Sequence, residues 1–286
     1  MSLGVFEPYS IPDCSSWSPQ RVGFRLDTDR SFLLVHDLQR YFLAPYQEER
    51  EPLPSLLRNV HRIVEVARAA RVPIAFTMQS PQQSRQERGL LWDVWGPGIT
   101  AKPELSDLAQ GLRPAPTEDV FEKRRYSAFR NTELEVSMRK HARNQLVIVG
   151  IYAHIGCYAT ALDGFMSDIQ SFMVGDAVAD FSLEAHSTAL RLVSDTCGVV
   201  LSTERVLSTF AETCVRRALA GLIESDPTLI PVDDALADCG LDSIRFMTLI
   251  ERIFAGRRSP DFDDLLGARS IAELAKLLIE VEPCVA

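Results

Sequence analysis

The sequence predicts an α/β domain with a parallel, Rossmann-like sheet, followed by a small all-α domain of four helices. Two observations support this fold class. Up to about residue 200, short continuous apolar runs alternate with segments of helical spacing, and from Ala211 onward only helical patterns follow. Alternation of strands and helices is typical of a parallel sheet covered by helices on both faces. We therefore expect domains at residues 1–206 and 211–286.

The strands of the first domain are predicted from apolar runs, which are typical of strands buried on both faces. These runs lie at residues 31–35, 72–76, 146–149, 172–174 and 199–201. Helical spacing of apolar residues predicts helices at 56–70, 132–141, 156–169 and 182–196. Thr132 and Glu135 have the spacing of a capping box and are expected to begin their helix.

The second domain is predicted to contain helices at residues 214–223, 243–254, 262–266 and 271–281. The segment 211–286 carries 14 acidic and 8 basic residues, and it therefore supplies most of the net charge of −9. We interpret it as a compact acidic module, whose charge serves either solvation or docking onto basic patches of partner enzymes.

Composition excludes several classes of protein. A net charge of −9 argues against nucleic-acid binding by bulk electrostatics. No apolar window has the length of a membrane span, so we expect no membrane association. The six cysteines have no paired spacing and form no cluster with histidine. This pattern favours free thiols in a cytoplasmic protein without a disulfide framework or a metal site.

Polar and aromatic residues follow successive strands at their carboxyl ends. In an open parallel sheet, ligands bind beyond these ends. We therefore expect one cleft to collect the residues that follow the strands, together with those on the adjoining loops. They are Asp37 and Phe42; Gln79, Arg88 and Trp95; Lys123; and Tyr152 and Gly156.

Five segments carry a resemblance to a known family. They are the Asp37 segment, Trp-Gly-Pro-Gly at 95–98, Lys-Arg-Arg-Tyr-Ser-Ala-Phe at 123–129, Tyr-Ala-His-Ile-Gly-Cys at 152–157 and Gly-Leu-Asp-Ser at 240–243. The first two hundred or so residues resemble the isochorismatase-like branch of the cysteine hydrolase superfamily. The whole chain resembles the bifunctional isochorismatase/aryl carrier proteins of catecholate, enterobactin-type siderophore synthesis.

The resemblance implies an Asp-Lys-Cys triad in which Asp37 matches the acid and Lys123 the lysine. The position of the nucleophile falls on Gly156, and Cys157 follows one residue later. A helix turns by about 100° per residue, so Cys157 is expected to point away from the spot that Gly156 faces. The site is therefore expected to work by acid–base chemistry, as in isochorismatases, without a covalent intermediate.

The implied reaction is hydrolysis of the vinyl ether of isochorismate to pyruvate and 2,3-dihydro-2,3-dihydroxybenzoate, with Asp37 as general acid. Burial or the carboxylates of the substrate would favour the protonated acid, whereas Lys123 favours the carboxylate. Contacts to substrate anions are expected from Gln79, Arg88 and the backbone N–H of Gly156. Phe42, Trp95 and Tyr152 are expected either to wall the pocket or to pack in the core. The resemblance also implies a cis peptide bond directly before His154.

The C-terminal domain resembles an aryl carrier domain, which implies 4'-phosphopantetheine attached covalently to Ser243. The alternative is that Ser243 only caps a helix, because serine and aspartate are common N-cap residues. The implied partners are a phosphopantetheinyl transferase, a 2,3-dihydroxybenzoate-AMP ligase and the condensation domain of a nonribosomal peptide synthetase (NRPS). The α/β domains of relatives self-associate, which implies a homodimer.

Two rival hypotheses remain open. In the first, the protein is an amidohydrolase that uses Cys157 as its nucleophile and is fused to a carrier domain. In the second, the α/β domain is inert and only positions the carrier; the presence of both Asp37 and Lys123 speaks against this. Replacing Cys157 by Ala leaves activity intact under the main hypothesis and abolishes it under the first rival.

Overall fold

The computed structural model describes residues 4–15, 17, 19–232, 236–239, 241–255 and 260–280. The chain divides into two compact units. The first unit consists of Met1–His61 and Pro73–Thr203, and the second of Arg62–Val72 and Glu204–Ala286.

The first unit is built on a sheet of six parallel strands in the order β3-β2-β1-β4-β5-β6. This is the strand order of doubly wound α/β proteins, in which the order reverses between the first and fourth strands. The predicted Rossmann-like fold class is confirmed. The strands are β1 Ser31–His36, β2 Ile74–Met78, β3 Asp119–Glu122, β4 Gln145–Ile151, β5 Gln170–Ala179 and β6 Gly198–Leu201.

Seven α-helices lie between these strands in the described residues, and two of them are short segments that follow β2. They are α1 Arg40–Leu43, α2 Leu53–Ala69, α3 Arg85–Arg88, α4 Leu90–Trp95, α5 Leu134–Lys140, α6 Tyr158–Met166 and α7 Leu183–Thr196. The last turns of α2, from Arg62, belong to the second unit.

The core of the first unit lies on both faces of the sheet. Every residue of β1 and β4 is buried, as expected for central strands covered by helices on both sides. Phe32 and Leu34 of β1 and Ile148 of β4 are fully buried. The continuous apolar runs that predicted these strands therefore reflect burial on two faces.

Three local features differ from the sequence-based expectations. The edge strand β3 was not predicted, because only two of its four residues, Val120 and Phe121, are apolar. The capping box at Thr132 is wrong: the N-cap of α5 is Glu133, which makes no side-chain capping bond. The Thr132 hydroxyl donates to the backbone oxygen of Ala128 instead. The helix expected from Gly156 begins earlier, as a π-helical turn over Ala153–Cys157.

The second unit is helical, as predicted. Its principal helices are α8 Thr203–Ile223, α9 Ser243–Ile253, α10 Phe262–Gly267 and α11 Ile271–Glu280. The predicted start of α8 at Cys214 is wrong, because this helix begins at Thr203 and runs through the interval 206–211 where a boundary was expected. The domain boundary itself stays a prediction. The helices bury Leu219, Leu249, Leu265, Leu274 and Leu278.

None of the described helices has both the length and the hydropathy needed to cross a lipid bilayer. Among the described cysteines, Cys14, Cys157 and Cys197 are buried free thiols. Cys284 lies outside the described residues.

The first turn of α9 is capped by Asp242, whose Oδ1 accepts a hydrogen bond from the backbone N–H of Arg245 at 2.7 Å. We predict that Asp242→Ala lowers the free energy of unfolding of this unit by about 1 kcal/mol, because the first turn loses its cap. Ser243→Ala should change it by less than half of that, since Ser243 is not the cap. Hydrogen exchange of the α9 amides measures both effects, and equal losses would assign the cap to Ser243.

Candidate active site

A pocket lies beyond the carboxyl ends of β1 and β4, where the strand order reverses. All eight residues predicted for the site in the first unit line it, so the inference from strand ends placed them together correctly. The lining residues are His36, Asp37, Tyr41, Phe42, Gln79, Arg88, Leu91, Trp95, Gly98, Lys123, Tyr126, Ile151, Tyr152, Ile155, Gly156 and Phe181.

Asp37 follows the last residue of β1 and is 5% exposed. Its φ of 50° lies in the left-handed region, which few residues other than glycine adopt, and this turns the chain sharply at the strand end. The Thr77 hydroxyl donates to Asp37 Oδ1 at 2.6 Å. Asp37 Oδ2 faces Lys123 and, at 3.4 Å, the amide nitrogen of Gln79. One carboxyl oxygen is thus held by Thr77, and the other is turned to the groups that line the pocket.

Lys123 follows β3 and is 2% exposed. Its Nζ lies 2.8 Å from Asp37 Oδ2 and donates to the carbonyl oxygen of Tyr126 at 3.1 Å. The backbone N–H of Lys123 bonds to Met78 O at 2.7 Å and extends the β2–β3 ladder by one residue. The parallel sheet therefore brings the ammonium to Asp37, although the two residues are 86 positions apart in the sequence.

The competition over the protonation state of Asp37 is decided by its neighbours. Burial by itself raises the pKa of this carboxyl. The Lys123 ammonium, the His36 ring and the hydrogen bonds from Lys123 and Thr77 together lower the pKa by a larger amount. The net result is a pKa of Asp37 below its ordinary value. Asp37 is therefore a carboxylate at neutral pH in the free protein.

His36 was not among the predicted site residues, yet it lies directly beside the ion pair. It is fully buried, and its Nδ1 is 2.7 Å from the carbonyl oxygen of Ile151. A carbonyl oxygen only accepts, so Nδ1 carries a proton. Burial and the Lys123 charge lower the pKa of His36 to about 4. The ring is therefore neutral at physiological pH.

Arg88 supplies a second buried cation to the pocket and is 3% exposed. Its Nε donates to Gly96 O at 3.0 Å, and its Nη1 lies 3.4 Å from the amide oxygens of Gln79 and Gln83. Gly98, at φ 60°, lies against the guanidinium, and a Cβ there would come within 2.5 Å of Nη2. None of the ion pairs found among the described residues includes Arg88. A buried guanidinium held by neutral oxygens is suited to bind an anionic ligand.

Aromatic rings form one wall of the pocket. The Tyr152 ring packs against Phe181 with centroids 4.6 Å apart and against Phe42 at 6.2 Å. The Tyr152 hydroxyl donates to Phe42 O at 2.6 Å, and burial raises its pKa well above the ordinary value. The Trp95 indole donates to the Tyr126 hydroxyl at 2.8 Å. Phe42, Trp95 and Tyr152 therefore line the pocket, and Phe181 is an addition to the predicted set.

Gly156 and Cys157 are placed as the helical rotation predicted. Gly156 lines the pocket, whereas Cys157 is fully buried and does not line it. Burial and the charge of Asp37 raise the pKa of the Cys157 thiol well above its ordinary value. Since the thiolate is the nucleophile, Cys157 is unreactive where it stands.

The segment that leads to Gly156 contains a cis peptide bond, which lies between Ile151 and Tyr152 and not directly before His154 as the resemblance implied. His154 does not line the pocket; its Nδ1 lies 2.6 Å from the buried Asp180 carboxylate. Thr77 and His36 are the polar site residues that sequence reasoning missed. His36 ends β1 directly before Asp37, and Thr77 lies near the end of β2, two residues before Gln79; this placement was the available signal.

Ser243 lies in the second unit as the first residue of α9, and it is exposed. Because the cap is Asp242, the alternative that Ser243 merely caps the helix is wrong. An exposed hydroxyl at a helix start that is not used as a cap fits covalent attachment of a phosphopantetheine arm. Gly240, the first residue of the Gly-Leu-Asp-Ser segment, lies outside what the structure describes. Within the described ranges, no His, Cys, Asp or Glu side chains form a group that could hold a metal ion.

The first unit and its pocket define a Rossmann-like α/β protein with a buried Asp–Lys pair at the switch point, and the second unit is a helical domain with an exposed serine. A family model described as the isochorismatase domain matches residues 31–205, and one described as a phosphopantetheine attachment site matches residues 215–278. The chain therefore belongs to the isochorismatase family and carries a C-terminal phosphopantetheine-binding domain.

Relatives of known name match along most of the chain. An isochorismatase from Bacillus subtilis (strain 168) is 36% identical over 97% of this chain and 96% of its own length. Enterobactin synthase component B from Escherichia coli (strain K12) is 37% identical over 88% of this chain and 89% of its own length. A solved cysteine hydrolase from Pseudomonas syringae pv. phaseolicola 1448A has a TM-score of 0.60 at 19% identity. It covers 68% of this chain and 99% of its own, and it supports the fold alone.

The buried ion pair between Asp37 and Lys123 leads to a prediction about stability. Asp37→Asn should lower the free energy of unfolding by roughly 3–5 kcal/mol, because it leaves the Lys123 ammonium buried without a counter-charge. Lys123→Met should have a similar effect, and the double substitution should cost much less than the sum. Urea unfolding followed by tryptophan fluorescence measures this, since all three tryptophans lie in the first unit. Additive losses would contradict a direct interaction.

Proposed function

We propose that the first unit hydrolyses the vinyl ether of isochorismate to 2,3-dihydro-2,3-dihydroxybenzoate and pyruvate. The second unit carries 2,3-dihydroxybenzoate as a phosphopantetheine thioester for nonribosomal siderophore synthesis. One observation supports the proposed hydrolysis. The buried carboxylate of Asp37 is paired with Lys123, and the place of the nucleophile in their pocket is occupied by Gly156. Such a site can move protons but has no side chain with which to form an acyl intermediate.

The pocket matches the charge of this substrate. Isochorismate has two carboxylates, and the wall of the pocket offers the guanidinium of Arg88 and the amide of Gln79 beside the Asp37–Lys123 pair. Arg88 anchors one carboxylate, since its own hydrogen bonds go to neutral oxygens. Phe42, Trp95 and Tyr152 exclude water around the enolpyruvyl group.

The reaction begins with proton transfer from Asp37 Oδ2 to the terminal methylene carbon of the enolpyruvyl group. Oδ2 is assigned this role because Oδ1 already accepts the Thr77 hydroxyl proton. Water captures the resulting oxocarbenium ion and gives one proton back to the Asp37 carboxylate. The hemiketal then collapses to pyruvate, and its hydroxyl proton leaves with the ring oxygen as the alcohol. A general acid in this position contributes roughly 10²- to 10⁴-fold in rate.

Asp37 has to acquire its proton when substrate binds, because in the free site its pKa is lowered. A bound dianion raises the pKa of a neighbouring carboxyl, since it disfavours a further negative charge. Lys123 holds the Asp37 carboxylate in place in the free site and stabilises it again after the proton has been transferred. Binding of the substrate thus converts Asp37 from a carboxylate into an acid.

The second unit contributes the exposed hydroxyl of Ser243. When attached, the phosphopantetheine arm supplies the thiol that carries the aryl acid. The exposed apolar side chains Ile244 and Met247 follow Ser243 on α9, and they are 78% and 50% exposed. We assign them to contacts with the phosphopantetheinyl transferase, the 2,3-dihydroxybenzoate-AMP ligase and the NRPS condensation domain. The boundary between the domains, a homodimer of the α/β domain and a cytoplasmic location stay predictions.

The rival thiol-dependent mechanism is not favoured by the position of Cys157. Its Sγ is buried away from the pocket, and its pKa is raised, so it is neither accessible to a substrate nor ionised. The inert-scaffold alternative does not explain why a carboxylate, an ammonium and a guanidinium share one buried pocket, an arrangement that is costly to maintain.

The two activities should separate in two variants. Asp37→Asn should lower pyruvate release at least about 100-fold, because the general acid is lost, and should leave arm attachment intact. Ser243→Ala should do the reverse. Pyruvate is measured with a coupled dehydrogenase assay and attachment by intact mass after transferase treatment. Asp195→Asn, an exposed change of the same kind on α7, is the control. Loss of both properties in Asp37→Asn would indicate unfolding instead.

The lowered pKa of Asp37 predicts a pH dependence. Above that pKa, the protonated fraction of the free site falls as pH rises, so kcat/KM should fall about tenfold per unit between roughly pH 6 and 8. The value of kcat should hold to higher pH, because the bound dianion raises the pKa of Asp37. Steady-state kinetics across this range test both statements. A flat kcat/KM would mean that the proton comes from within the Asp37–Lys123 pair.

A further inference from the structure

The His36 ring is held rigidly at the floor of the pocket. It ends the fully buried strand β1, and its Nδ1 donates to Ile151 O at 2.7 Å across the β1–β4 ladder. The same ring nitrogen lies 3.9 Å from Asp37 Oδ2. Complete burial and this hydrogen bond hold the imidazole in its orientation.

This ring occupies the space that a side chain at position 156 would need. A Cβ built on Gly156 would lie 2.2 Å from His36 Cε1, 2.9 Å from Nε2 and 3.2 Å from Nδ1. Contacts of this kind do not occur between non-bonded carbons, and the atoms concerned belong to a fixed ring. The backbone at Gly156 is not in the left-handed region, so the obstacle to a side chain there is the imidazole and not the conformation of the chain.

Position 156 is also where a nucleophile would be activated. Gly156, Asp37 and Lys123 line one pocket, so a thiol at 156 would stand beside a base and an ammonium, the surroundings that lower a cysteine pKa. The site therefore lacks a nucleophile for two reasons. Residue 156 is a glycine, and the His36 ring leaves no space for a larger side chain there.

We infer that His36 is a specificity-determining residue: its ring fills the place of a nucleophilic side chain and confines the site to acid–base hydrolysis, excluding acyl transfer from esters and amides. The inference deepens the proposed function and rests on it for the reaction that the native site performs. Because the ring is neutral at physiological pH, it fills this space without adding a positive charge beside Lys123.

It follows that a thiol nucleophile can be restored only when both positions change. In His36→Ala/Gly156→Cys, the thiol would pass its proton to Asp37, and the sulfur would attack the carbonyl carbon of p-nitrophenyl acetate. The S–C bond forms as the C–O bond breaks, p-nitrophenolate leaves with the electron pair, and an acetyl thioester remains on residue 156.

The first test measures packing. Gly156→Ala should lower the melting temperature by roughly 2 to 12 °C when His36 is present, because the core is overpacked. In the His36→Ala background the same substitution should be neutral or stabilising, since alanine exceeds glycine in helix propensity. An equal loss in both backgrounds would overturn the inference.

The second test measures chemistry with p-nitrophenyl acetate. The double variant should release nitrophenolate at least about tenfold faster than Gly156→Cys alone, with the acetyl group located on residue 156 by fragment-ion mass spectrometry. His36→Ala alone reports any reaction of the neighbouring Cys157. Equally fast acylation of Gly156→Cys with His36 in place would refute the inference. Failure of the wild-type chain to release pyruvate from isochorismate would instead refute the proposed substrate, whatever the outcome of these two tests.

Discussion

The ion pair between Asp37 and Lys123 is the interaction around which the site is arranged. Two charges at 2.8 Å, 5% and 2% exposed, are costly to bury unless each remaining lone pair and proton finds a partner. Thr77 and Gln79 supply donors to the carboxylate, and Tyr126 O supplies an acceptor to the ammonium. The same contacts orient one carboxyl oxygen toward the pocket. The hydrogen bonds that satisfy the buried charge pair therefore also orient the proton donor.

The sheet explains why these groups meet, and the sequence was sufficient to predict that they would. Residues that follow parallel strands reach the same edge whatever their distance along the chain, so Asp37, Gln79, Tyr152 and Gly156 could be assigned to one cleft from the strand patterns. Lys123 was harder, because its strand β3 is a four-residue edge strand with alternating exposure, and it left no continuous apolar run. The sequence placed it in the cleft as part of the segment ahead of the Thr132 helix, its role as the lysine of a triad came from the resemblance, and the structure supplied the strand.

The features that escaped prediction depend on contacts between distant segments. Nothing local to His36 indicates that its ring meets position 156, since this contact exists only once β1 and β4 are paired in their register. The role of Thr77 depends in the same way on its register partner His36 in β1. The capping box at Thr132 is the exception, because there the hydroxyl bonds locally to Ala128 O, four residues earlier, instead of capping the helix. Local patterns predicted the elements, and pairing between elements determined the chemistry.

The charges of the pocket link substrate binding to the proton that the reaction consumes. With His36 neutral, the lining carries one carboxylate and two cations, Lys123 and Arg88, and the free site holds one net positive charge. Entry of a dianion converts this to one net negative charge in a poorly solvated space. Protonating Asp37 is the change that restores neutrality, because it is the anionic side chain there. Asp37 therefore stays ionised until the anionic substrate binds. It carries the proton only when the vinyl ether that receives this proton is present.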